Sequence, residues 1–240
     1  LSNVSFIPTT DIIEEVRSIK ASEEISIISK AALIADEALL KVAPTLESGN
    51  TESEIAWKIE KAMRENGADA MSFDIIVASG PNAALPHHQP SDRAVNEGET
   101  IVVDMGARYK GYCSDMTRTF CIGTPDSQLA KVYDTVLGAQ LTAISTAEAG
   151  MTGSEVDALA RNVINNAGYG EQFGHSLGHG VGLAVHEQPV IGPSSKTILK
   201  ESMVFTIEPG IYISGWGGVR IEDMVVLDGG KARQLTSLSK

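Results

Sequence analysis

A helix-start pattern occurs twice in this chain, 101 residues apart, and limits the folds open to it. Gly49, Thr51, Ser53, Glu54, Ile55 and Gly67 are answered by Gly150, Thr152, Ser154, Glu155, Val156 and Gly168, six matches in nineteen positions at one offset. In each copy a Thr is followed three residues later by a Glu, the reciprocal arrangement in which the two side chains satisfy each other's backbone amides at a helix N-terminus. Ahead of the first copy, Ile12, Ile13, Val16, Ile19, Ile25, Ile28, Leu33 and Leu40 recur at near-helical spacing until Pro44 and Glu47 to Asn50 interrupt them. Ahead of the second, a helix is expected from Leu129 to about Thr146. After each helix pair come β-branched runs: Asp74 to Ala78 and Thr100 to Met105, then Met203 to Glu208 and Ile221 to Leu227. Two unrelated α+β segments could share helix-start signals. An internal duplication accounts for the fixed offset as well, and it predicts an α+β chain of two halves, about 1–125 and 126–240, with any site between them drawing on both.

Composition narrows the partners. With 31 acidic and 19 basic residues the formal charge is -12, which repels a phosphate backbone, and twelve aromatics leave little for base stacking. Nucleic acid and anionic membrane are therefore poor partners, and no apolar run is long enough for a spanning helix. Cys113 and Cys121 are too few for a disulfide framework and lack C-x-x-C spacing, so a cytoplasmic thiol state is expected.

Two groups of residues carry chemistry. All five histidines, His87, His88, His175, His179 and His186, fall in two short segments. His88, beside another histidine, reads as structural. The stretch Gly174 to Glu187 has four glycines that discourage a helix, so His175 and His179 are not the paired ligands of a zinc-protease helix. Its G-x-G-x-G spacing also differs from a dinucleotide loop. Asp104, Asp115, Glu208 and Glu222 each interrupt or end an apolar β-run, where an unpaired carboxylate is very costly. Arg118 and Arg220 could compensate as ion pairs. Two arginines cannot answer four acids, whereas two divalent cations could, and an oxygen-rich set with one His suits Mn²⁺, Co²⁺ or Fe²⁺.

Val103 to Ala107, Gly111 to Phe120, the glycine-histidine stretch, Phe205 to Gly210 and Val219 to Asp223 together resemble, in order and spacing, the pita-bread metallopeptidases. The likeness covers nearly the whole chain and is greatest to their Xaa-Pro branch, aminopeptidase P and prolidase. It implies the pita-bread (creatinase/aminopeptidase) fold, two pseudo-symmetric halves with a curved antiparallel sheet flanked by helices. It further implies two metal ions, Mn²⁺ first and Co²⁺, Zn²⁺ or Fe²⁺ as alternatives, on Asp104, Asp115, His179, Glu208 and Glu222, with Asp115 and Glu222 bridging. His87 matches the family's first site histidine, and His186 matches one that contacts substrate or the tetrahedral intermediate.

The activity implied is hydrolysis of an N-terminal Xaa-Pro bond by a metal-bound hydroxide, with Glu208 shuttling the proton. Arg220 is expected beside the substrate or, more readily, orienting Glu222 or Asp115. His175 and Tyr212 are further substrate-side candidates. A methionine aminopeptidase-like activity is less favoured, because that branch has a Gly-Asp-Thr segment where Ser114-Asp115-Met116-Thr117 stands. A non-catalytic binding module conflicts with the intact ligand set, and a phosphoesterase with the shortage of basic residues near the motifs. Substrates would be short peptides with proline second, and the full-length protein a homodimer. The family's N-terminal domain has no matching segment here, and Leu1 is not a methionine, so residues 1–240 are expected to form a single catalytic domain of a longer protein.

Overall fold

In the computed structural model, which describes residues 4, 5 and 7–240, each half runs helix, capped helix and then antiparallel strands. Leu1 lies outside the described residues. The first half contains α1 (Ile12–Ser18), α2 (Ser22–Val42), α3 (Glu52–Glu65), β1 (Ala70–Met71), β2 (Ile76–Ser79), β3 (Thr100–Met105), β4 (Ala107–Tyr109), β5 (Tyr112–Cys113) and β6 (Met116–Cys121). The second contains α4 (Ser127–Thr146), α5 (Gly153–Asn166), β7 (Gly178–Gly180), β8 (Glu187–Ile191), β9 (Val204–Ile207), β10 (Gly210–Ile213), β11 (Gly217–Arg220), β12 (Asp223–Asp228) and β13 (Lys231–Gln234). Strand order is β2-β3-β6 in the first half and β13-β12-β9-β7-β8 in the second, with every pairing antiparallel.

Both Thr-x-x-Glu patterns cap helices. Glu54 N donates to Thr51 Oγ1 at 3.1 Å and Thr51 N to Glu54 Oε2 at 2.9 Å; at α5 the corresponding distances for Thr152 and Glu155 are 3.2 and 2.7 Å. The likeness extends to backbone that the sequence offset did not reach. Gly49 N donates to Val95 O and Glu52 N to Arg93 O, while Gly150 N donates to Leu199 O and Gly153 N to Thr197 O. A returning loop thus takes up amides at the start of each helix that have no partner within it. Gly49 and Gly150 share this place because both sit at positive φ, 98° and 96°, where a side chain is strained.

Each half buries its own apolar cluster. Ile34, Leu39, Ile55, Ile59, Val77 and Val103 pack in the first; Val132, Val136, Val156, Ile164, Phe205 and Val225 pack in the second. A third cluster joins α2 to the second half through Ile28, Ala32, Cys113, Val181, Val204 and Met224. The helical pattern before Pro44 needs one correction: Ile12, Ile13, Val16, Leu33 and Leu40 are exposed. Alanines 31, 32, 35 and 38 form much of the inward face of α2, because they let the helix lie close to the strands. Cys113 and Cys121 are free thiols, and no helix among the described residues is long and apolar enough to cross a membrane.

Candidate metal centre

The carboxylates reach one place from both sheets. Asp104 lies inside β3, opposite Ile76 on one side and Thr117 on the other, rather than closing the strand. Asp115 immediately precedes β6, Glu208 follows β9, and Glu222 stands between β11 and β12. His179 is the middle residue of β7. A Cβ on Gly178 would lie 2.0 Å from Thr206 O and one on Gly180 2.1 Å from Gln188 O, so only glycines let β7 fit between β9 and β8. That close fit explains the Gly-His-Gly sequence.

These side chains converge on a cavity of about 780 Å³, which Asp104, Asp115, His179, Glu208 and Glu222 line together with His87, His175, His186 and Arg220. Donor atoms of Asp115, His179 and Glu222 lie within 4.8 Å of one another. His179 Nε2 is 3.6 Å from Asp115 Oδ2 and 3.3 Å from Glu208 Oε1. The rings of His179 and His186 are 4.1 Å apart.

The site carries more negative charge than its arginine can balance. Arg220 Nη2 donates to Asp104 Oδ2 at 2.7 Å, yet Asp104 Oδ1 and Glu222 Oε1 are buried without a hydrogen-bond partner. Burial, reinforced by the neighbouring carboxylates, pushes Asp115 and Glu222 well above the usual carboxylate range. Burial also raises Asp104, partly offset by the Arg220 charge. Burial acts upward on Glu208 too, but the hydrogen bond and charge of His179 outweigh it and leave Glu208 low. Burial holds the His175 and His186 rings below the usual histidine range, the latter also through the charge of His179. Bare buried acceptors and crowded carboxylates beside an imidazole are what divalent cations would satisfy, so the residues fit such a pair.

Arg220 requires a correction. It holds Asp104 directly and reaches neither Asp115 nor Glu222; Arg220 Nε donates to Thr117 Oγ1 at 3.0 Å, and Thr117 Oγ1 donates to Glu222 Oε2 at 2.7 Å. Arg220 ends β11, which packs against both β3 and β6, so its guanidinium reaches Asp104, whereas Thr117 stands between Arg220 and Glu222. Tyr212 is also displaced from the cavity wall. Its hydroxyl accepts from Arg220 Nη1 at 2.9 Å and meets His175 Nε2 at 3.0 Å. Arg118 serves a different acid, Asp223, at 2.7 Å. His88 is held by Glu52, 2.8 Å away, a structural partner.

Sequence reasoning passed over Thr117 and Thr206. Thr206 Oγ1 donates to Glu208 Oε1 at 3.0 Å and accepts from His179 N at 3.0 Å. Each threonine is two residues from a candidate ligand, Thr117 from Asp115 and Thr206 from Glu208, a spacing that on a strand shares one face and could have disclosed both.

Residues 26–228 match the model of metallopeptidase family M24. The chain belongs to metallopeptidase family M24. Its pita-bread fold is shared with solved M24 relatives. A Pyrococcus furiosus Xaa-Pro dipeptidase is 47% identical over 240 residues, covering 100% of this chain and 69% of that protein. The solved Xaa-Pro dipeptidase of Bacillus anthracis superposes with a TM-score of 0.97 at 46% identity, over 99% of this chain and 67% of that one. An X-Pro aminopeptidase of Thermotoga maritima gives 0.96 at 45%, over 99% and 68%. The chain thus spans about two thirds of the length of these relatives.

Proposed function

We propose that this M24 metallopeptidase hydrolyses the bond between an N-terminal residue and proline in short peptides. The observation that carries the reading is the meeting of Asp104, Asp115, His179, Glu208 and Glu222 on one cavity with buried oxygens left bare. Relatives named Xaa-Pro dipeptidase and X-Pro aminopeptidase, each at least 45% identical, support the choice of substrate. Residues 1–240 are read as a catalytic unit that assembles as a homodimer. The two free thiols suit a reducing, cytoplasmic compartment.

In this reading Asp104, Asp115, His179, Glu208 and Glu222 would hold two divalent cations, Mn²⁺ first. The ions would supply Lewis acidity toward the scissile carbonyl and a water acidic enough to react near neutral pH. Glu208, whose carboxylate is fixed by the Thr206 hydroxyl, takes the proton released during attack and returns it to the departing proline nitrogen. His87 and His186 line the cavity and donate to the carbonyl oxygen as charge grows there. His175 borders the substrate, with Tyr212 behind it, and Arg220 orients Asp104 and favours its charged form.

Chelation followed by Mn²⁺ add-back, assayed on Xaa-Pro dipeptides, Xaa-Pro-Xaa peptides, N-terminal Met peptides and a phosphate ester, tests this reading. Activity should vanish on chelation and return on the proline peptides. Turnover confined to the Met peptide or the ester would overturn it, and the ratio of dipeptide to tripeptide cleavage assigns dipeptidase or aminopeptidase.

A further inference from the structure

The segment from Ser79 to Ser91 carries His87 to the mouth of the cavity, and it is gathered from behind by a residue that the proposed chemistry does not use. Glu52, the first residue of α3, is fully buried. Its Oε1 accepts from Ser79 N and Ser79 Oγ at 2.8 Å each and from Asn82 Nδ2 at 3.0 Å. Its Oε2 accepts from Ser91 N at 3.1 Å and Ser91 Oγ at 2.6 Å, and faces His88 Nε2 at 2.8 Å. No lysine or arginine touches it among the described residues; Arg93 donates to Ser79 Oγ and pairs with Glu99 instead. A buried carboxylate without a cation is tolerable only when its lone pairs are used, and here the donors of one short segment use them. Burial acts against ionisation, yet those hydrogen bonds hold the Glu52 carboxyl at about 2.

The same segment is held from the opposite side. Arg220 Nη1, on the guanidinium that grips Asp104, donates to Pro86 O at 3.4 Å. His87 therefore lies between Pro86, tied to the metal side, and His88, tied to the helix side. Its own side chain is exposed at the cavity, so the backbone on either side sets where the ring stands. An acid in a helix's first turn commonly serves the helix dipole. Glu52 instead directs its carboxylate away from α3 into the neighbouring segment.

We propose that Glu52 is a positioning residue of the active site: through His88 and Ser91 it fixes the segment that presents His87 to the substrate. This rests on the role given to His87 above. A double-mutant cycle on the metal-loaded protein with an Xaa-Pro peptide, together with hydrogen exchange, tests it. Misplacing a catalytic group by about an ångström can cost on the order of a hundredfold. Glu52→Gln should lower kcat/KM about tenfold and His87→Ala about a hundredfold, with the double variant no worse than His87→Ala, since the two act through one group. Deuterium uptake should rise in peptides covering 80–92 of Glu52→Gln and stay unchanged over 174–191. Losses that multiply to about a thousandfold, or unchanged uptake over 80–92, would overturn the proposal. If Glu52→Gln does not fold, Ser91→Ala, which removes one donor, goes through the same cycle. A wild-type protein inert toward every Xaa-Pro peptide refutes the functional reading instead, and the exchange comparison alone then decides the anchoring, in either direction.

Discussion

The two halves of the molecule solve the same problem with different side chains. In each, a capped helix receives a returning loop on its first amides, and a histidine-bearing segment runs from that region to the shared cavity. The first half anchors its segment on Glu52, a carboxylate served by neutral donors and His88. The second uses an ion pair. Asp157 on α5 accepts from Leu177 N at 3.0 Å and from Arg161 Nε at 2.6 Å, while Arg161 donates to Phe173 O and His175 O and lies 4.2 Å over the Phe173 ring. At the 101-residue offset Glu52 corresponds to Gly153 and Asp157 to Ala56, so the anchors are not equivalent positions. Gly153 cannot carry an anchor, because its Cβ would lie 2.3 Å from Val190 O. Backbone demands at a helix start are generic, and both halves meet them alike; the groups each segment must hold are local, and there the halves differ.

Removing one carboxylate from each half should have the largest effect. Asp115→Asn and Glu222→Gln should each lower kcat/KM by about a thousandfold or more, as expected for loss of a carboxylate that holds the reaction's cations. In the metal-free protein both should instead raise the melting temperature at neutral pH. Their folded-state values are raised, so stability is present at low pH and falls as pH climbs from the ordinary carboxylate range toward the raised values. Calorimetry after chelation checks this, and a loss confined to one variant would show that only one half supplies an essential carboxylate.

A smaller effect separates the two anchors. Glu52 is depressed from 4.5 to about 2, so it contributes stability above pH 4.5 that is lost as pH falls toward 2, on the order of 3 kcal/mol. Urea titrations of wild type and Glu52→Gln should therefore converge over that interval, and a constant gap between them would contradict the depressed value. The smallest effect tests the shared feature. Thr51→Ala and Thr152→Ala should each cost about 1 kcal/mol. Clearly unequal costs by thermal denaturation would mean that the two capping boxes are alike in geometry only.

Much of the fold was legible because its signals are local. A Thr and a Glu three residues apart satisfy amides within reach, so both helix starts could be placed from the chain alone. Acids within β-branched runs announced buried charge, and Gly178-His179-Gly180 announced backbone that must approach its neighbours closely. The exposure of Ile12, Ile13 and Val16 was not legible, because periodicity marks an apolar face without saying what covers it.

Two capped, related halves, and a set of carboxylates and histidines too acidic for the arginines present, can be read along the chain. Which arginine serves which acid is set by packing alone: Arg118 goes to Asp223 and Arg220 to Asp104, partners 105 and 116 residues apart. Packing also decided that Glu52, outwardly an ordinary first-turn acid, would be buried under Ser79, His88 and Ser91. The strength of a charge pair depends on distance and burial, and neither is set until strands from both halves are packed.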